Sequence, residues 1–272
     1  LLFYYGIKNL FISHKKCERI GLAASYLFDQ KIQRAKWYWK SKGIKFRFSG
    51  EISESKKQIN NFLLAFGLLK SMGINPRQFK RPIFDFDYEN KFTYFVVRGS
   101  KQIETEKSNA CTSLIDYFNN CLKHIGFKIK DDAKSDLVDA VSEIVDNAEE
   151  HSKSNDKWTV LGCFDKESHQ CNFSIINTGR TIVKSHKSLK ERIGEFFSAT
   201  EEEALWNVMA LQEGISSKRT TDGVMRTRGQ GMMDMLTFFN ALRPKDSIDT
   251  KISLVSGKSS ILIDYQYPIT EK

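Results

Sequence analysis

Apolar residues recur at helical spacing in several stretches of this chain and alternate in others, and that contrast divides it into elements. Residues 1 to 13 read as strand followed by loop. From Cys17 to Lys42, Ile20, Leu22, Ala23, Ala24, Leu27, Phe28 and Ile32 supply the apolar positions of a long helix that Gly43 stops. Ile44 to Phe48 alternates like a half-buried strand, Ser49-Gly50 reads as a turn, and Glu54 to Met72 as a second helix ending at Gly73. Strand, helix, strand, helix predicts a small α/β layer. Residues 77 to 106 read as a connector plus the strand Phe92 to Val97.

Ser108 to Ile125 forms an amphipathic helix in this reading, followed by the helix Leu137 to Ser152. Trp158 to Phe164 and Cys171 to Ile176 are strands joined by Asp165 to His169 as a hairpin. Helical pieces are expected near Leu189 to Phe197, Glu201 to Leu211 and Met232 to Leu242. Ile252 to Val255 and Ile261 to Tyr265 close the chain as a hairpin around Ser256-Gly257-Lys258.

The helix at 137 to 152 also reads as a site. Leu137, Val141, Ile144, Val145 and Ala148 form its apolar stripe, while Asp139, Glu143, Asp146, Asn147, Glu150 and His151 fall on the opposite arc. Such an arc is ordinarily a solvated face. Glu143 and Asn147, however, stand one turn apart and project from one patch, where a carboxylate and an amide can serve one metal-phosphate group. Downstream lie Asn177-Thr178-Gly179 at the end of an apolar run and Gly229-Gln230-Gly231 at the start of another helix. Two glycines at a helix start leave backbone N–H groups unhindered for phosphate.

The order of these three motifs resembles that of the GHKL ATPase superfamily, the histidine kinase-like ATPase domain or Bergerat fold. The resemblance covers roughly Ala110 to Tyr267, and its most specific part is the run from Glu143 through Asp146-Asn147-Ala148 to His151-Ser152. It implies an α/β sandwich, a mixed sheet covered by helices, over residues 107–272. It also implies ATP and Mg2+ as cofactors, Asn147 as the Mg2+ ligand, and Glu143 as the catalytic residue that positions or deprotonates water. Cofactor-binding positions carried over are Asn147, His151, Asn177, Gly179, Lys218, Arg228, Gly229 and Gly231, with Lys218 and Arg228 on the implied mobile lid. Where family members carry an aspartate that accepts from the adenine amino group, Asn177 stands here, and Thr181 replaces a second glycine. Residues 1–100 resemble a STAS-type region by element order, but His14-Lys15-Lys16-Cys17-Glu18-Arg19 stands where a phosphorylatable serine or threonine is expected. His124, at a helix end without an acidic neighbour, argues against a conventional histidine kinase.

Length and charge add little that changes this picture. The 272 residues accommodate one large domain or two ordinary ones, and a formal charge of +9 suits an acidic partner without choosing it. Five cysteines without a C-x-x-C pair are expected to be reduced thiols in a cytoplasmic protein. Residue 1 is not methionine, so the expectation is a chain that begins inside a longer protein. Lys31, Arg34, Lys36, Lys40, Lys42, Lys45 and Arg47 surround Trp37-Tyr38-Trp39. Two readings of that run stand: a nucleic-acid face, or core aromatics with lysines reaching to water. The expected function is an ATP- and Mg2+-binding regulatory ATPase or protein kinase-like switch controlling a protein partner. The alternative is a non-catalytic nucleotide sensor or interaction scaffold. Nucleic acid is the less favoured partner, a homo-oligomer is left open, and no membrane segment is expected.

Overall fold

The computed structural model describes residues 9–75, 92–100, 104–151, 157–185, 203–210 and 251–264. The protein is mixed α/β, with seven strands in three small sheets among the described residues. The chain divides into two compact units, Leu1–Val96 with Leu161–Ser174 and Val97–Val160 with Ile175–Lys272. The expected connector at 77–91 and the helices near Leu189–Phe197 and Met232–Leu242 lie outside the described residues.

In the first unit, β1 (Asn9–Ser13) pairs in parallel with β2 (Arg47–Glu51), with Asn9 opposite Arg47 and Ser13 opposite Glu51. Helix α1 (Leu22–Ser41) makes the crossover that parallel pairing requires. It starts later than the apolar pattern predicts, because the Cys17 N–H bonds back to the His14 carbonyl in a turn and Gly21 forms the helix start. Its end is held by a bond from the Ile44 N–H to the Trp39 carbonyl, which delays β2 to Arg47. Ser49 and Gly50 are therefore strand residues and not a turn. A Cβ on Gly50 would sit 2.6 Å from the Ile12 carbonyl oxygen, so the close approach of β1 requires glycine there.

The predicted helix over 54–72 is two pieces, α2 (Lys57–Ala65) and α3 (Leu68–Ser71). Gly67, at φ +73°, breaks it in the left-handed region. That break turns Leu68, Leu69 and Met72 into a core with Ile32, Ile52, Ile59, Leu63 and Ile74. Asp29 and Gln33 of α1 meet Ser71 of α3, where Ser71 Oγ donates to Asp29 Oδ1 and Gln33 Nε2 donates to Ser71 Oγ at 2.7 Å.

A three-stranded sheet has the order β3-β4-β5, with β3 Phe92–Ser100, β4 Lys157–Asp165 and β5 Gln170–Asn177. The central strand is buried from Trp158 to Phe164, which explains why its sequence is nearly unbroken in apolar character. Only four residues, Lys166–His169, join β4 to β5, too few for a parallel crossover. Asp165 Oδ1 accepts the Glu167 N–H at 2.9 Å and stabilises that turn.

Within the second unit, α4 (Glu104–His124) buries Ala110, Leu114, Tyr117, Phe118 and Cys121, a helical repeat that packs against α5 (Asp131–His151). The short helix α6 (Ile182–Ser185) and α7 (Glu203–Ala210) follow. Strands β6 (Ile252–Ser256) and β7 (Ser259–Ile263) are antiparallel, Ile252 opposite Ile263, which matches the hairpin predicted around Gly257.

Candidate functional site

Helix α5 begins at Asp131, a turn and a half before the predicted Leu137. Asp131 and Asp132 place negative charge at its positive end, and Asp131 pairs with Lys134 at 2.7 Å. The hydrogen bond and charge of Lys134 hold the Asp131 carboxyl below its ordinary value. Downstream, Leu137, Ala140, Val141, Val145 and Ala148 are buried, whereas Ile144 is only half-buried. The core stripe is thus rotated slightly toward Ala140 from the one predicted. Its rotation leaves Glu143 and Asn147 half-buried, one turn apart, on a helix fixed by its opposite face.

The rest of the polar arc divides by role. Asp146 is bound to Lys107 of α4 at 2.5 Å, so this carboxylate braces two helices. Glu149 accepts the Trp158 indole N–H at 2.7 Å. Trp158 in turn lies over Gly99 of β3, where any Cβ would overlap its ring. Neither brace was visible in the sequence, since each joins residues whose proximity only packing creates. The tryptophan and the glycine in the opposing strand are the one signal that could have suggested the second.

At the end of β5, Asn177 is exposed and its Oδ1 accepts the Gly179 N–H at 3.4 Å. That acceptor therefore turns back toward its own loop. Thr181 Oγ1 accepts the Lys184 N–H at 3.3 Å, capping α6, which accounts locally for a hydroxyl where the resemblance implied glycine. The Ile182 N–H donates to Ser256 Oγ at 2.9 Å, tying this loop to the β6–β7 turn.

Glu143, Asn147, Asn177 and Gly179 all belong to the second unit. His151 is the last residue of α5, and Lys218, Arg228, Gly229 and Gly231 lie outside the described residues. Among the described residues no group of three or more His, Cys, Asp or Glu side chains is arranged to hold a metal ion, and no helix is long and apolar enough to cross a membrane. His124 ends α4 in an exposed position. Cysteine chemistry is disfavoured at Cys163, whose thiol is pushed up to about 12 by burial and then by Asp165 and Cys171, against a hydrogen bond with Tyr94. No protein-family model, curated protein or solved structure matches the chain.

Proposed function

We propose that the chain binds ATP with Mg2+ and works as a GHKL-type regulatory ATPase or protein kinase-like switch controlling a partner protein. The observation that supports this most is the pairing of Glu143 with Asn147 one turn apart on α5, with the opposite face of that helix anchored by Val141, Val145 and Ala148. A rigid helix keeps both groups in register, as positioning chemistry demands.

The donor set fits the cation. Mg2+ takes hard oxygen ligands and keeps much of its shell as water and substrate phosphate, so one carboxamide oxygen, that of Asn147, suffices from the protein. The ion would supply charge neutralisation at the phosphates. Glu143 orients the attacking water or accepts its proton, a role that requires hydrogen-bond reach and a carboxylate that remains ionised near neutral pH. Asn177 meets the adenine edge. A sandwich of helices on a mixed sheet, with α4 and α5 as its helical layer, is the architecture that goes with this reading.

A second reading is a sensor that binds nucleotide without turnover. Asn177 and Thr181 favour it, the first because its acceptor oxygen is engaged by Gly179 and the second because it caps α6.

Calorimetric ATP binding and phosphate release should be measured on wild type, Glu143→Gln and Asn147→Ala. The switch reading expects Mg2+-dependent binding, lost in Asn147→Ala, and turnover lost in Glu143→Gln with binding retained. Binding without turnover in wild type would leave the sensor. No nucleotide binding would overturn both readings.

A further inference from the structure

Helix α1 carries two tryptophans two residues apart with opposite fates. Trp39 is buried at 3% exposure and stacks on Phe46 with ring centroids 3.9 Å apart. Trp37 is 71% exposed. An exposed tryptophan forfeits about 2 kcal/mol of burial that a position facing the core would have gained, and its flat face is left open to solvent.

The sequence around Trp37 is basic. Between Gln30 and Gly50 the sequence holds seven Lys and Arg residues and no Asp or Glu. Lys36 is turned inward: its Nζ donates to the Ser71 carbonyl at 2.5 Å and lies 4.8 Å from the Phe48 ring centre. Lys31, Arg34, Lys40, Lys42, Lys45 and Arg47 remain exposed. Lys31, Arg34, Trp37 and Lys40 follow one another at i, i+3 spacing, which places each beside the next along the helix surface. None of Lys31, Lys40 and Lys45 forms an ion pair with a described carboxylate. The two readings that the sequence left open for this run are thus divided residue by residue, with Trp39 and Lys36 used internally and Trp37 and the other cations facing water.

From this face we infer that α1 is a binding surface for single-stranded nucleic acid, with Trp37 as a platform for one base and Lys31 and Lys40 meeting backbone phosphates. A flat π face flanked by cations at helical spacing suits a base with phosphates on either side. Insertion into a membrane interface would need a continuous apolar face, and that face of α1, through Leu22, Tyr26, Ile32, Ala35 and Trp39, is already buried. All the residues involved lie in the unit that includes Leu1–Val96, and the inference does not depend on nucleotide binding by α5.

The test is fluorescence anisotropy with the full chain and a fluorescein-labelled oligothymidylate, in the absence of ATP. Comparison arms use a polyglutamate peptide and phosphatidylserine vesicles. Wild type should bind the oligonucleotide, with log affinity falling against log salt by about 0.7 for each phosphate met. Trp37→Ala should weaken binding about tenfold while Trp37→Phe stays within about threefold, because a phenyl ring still stacks. Trp37→Leu, which keeps apolar bulk without a π face, should behave as alanine does, and the melting temperature of each variant confirms folding. Combined Lys31→Glu and Lys40→Glu should abolish binding. The inference is overturned by no oligonucleotide binding in wild type, by Trp37→Ala or Trp37→Leu binding as tightly as wild type, by binding that survives the double charge reversal, or by stronger binding to polyglutamate or vesicles.

Discussion

The Trp158 indole N–H donates to Glu149 Oε1 at 2.7 Å, joining the central strand β4 to α5 two residues after Asn147. Trp158 is 1% exposed, so removing the carboxylate takes away the protein partner of a donor on a buried side chain. Glu149→Ala should destabilise the protein by about 1–3 kcal/mol, the range for orphaning a buried donor. Glu149→Gln, which retains an acceptor, should recover most of that loss. Urea denaturation followed by tryptophan fluorescence measures both. Equal stability of the alanine variant and wild type would falsify the brace.

Cys163 and Cys171 differ in burial, and their chemistry should differ with it. Cys171 is exposed and Cys163 is buried on β4. In native protein at pH 8, maleimide followed by peptide mapping should label Cys171 and spare Cys163. The thiol of Cys163 is raised from 9.0 to about 12 in the folded chain, so the unfolded state releases this proton first as pH rises. The stabilisation is whole below about pH 9 and is lost progressively toward pH 12. Cys163→Ser, which does not ionise in that window, should flatten the alkaline fall in melting temperature relative to wild type, even though its absolute stability is lower.

Gly257 and Gly43 have nearly the same backbone, at φ +64° and +66°, in different surroundings. Nothing lies within 4 Å of a Cβ at Gly43, whereas at Gly257 it would overlap the Glu203 carboxylate, which also accepts the Lys258 N–H. Gly43→Ala should lose about 1–2 kcal/mol from left-handed backbone strain alone. Gly257→Ala should lose more, and Glu203→Ala in the same background should bring the two closer. A thermal-melt series on the four proteins decides it, and equal losses at both glycines would remove Glu203 from the explanation.

If the ATP reading holds, Asn177 sets base discrimination. Replacement by aspartate restores an acceptor that cannot reorient to offer a donor, so Asn177→Asp should raise the ratio of ATP to GTP affinity about tenfold, near 1.4 kcal/mol. Competition calorimetry with the two nucleotides reads the ratio directly. An unchanged ratio would show that Asn177 does not meet the base.

Local pattern carried much of the described fold. The helical repeats of α1, α4 and α5, the apolar run of β4 and the β6–β7 hairpin at Gly257 all follow from spacing and turn chemistry within a few residues of sequence. So does the pairing of Glu143 with Asn147, because one helical turn puts them together whatever the helix packs against. Packing decided the rest. The register of β2 was set by β1 and the cap at Ile44, so Ser49-Gly50 became strand, and the left-handed Gly67 split a helix that apolar spacing alone would have continued. The acidic arc of α5 could not reveal that Asp146 faces Lys107 and Glu149 faces Trp158, since the partners of Asp146 and Glu149 stand 39 and nine residues away. Trp37 and Trp39, equal in sequence terms, parted because 100° per residue sends one toward Phe46 and the other toward water.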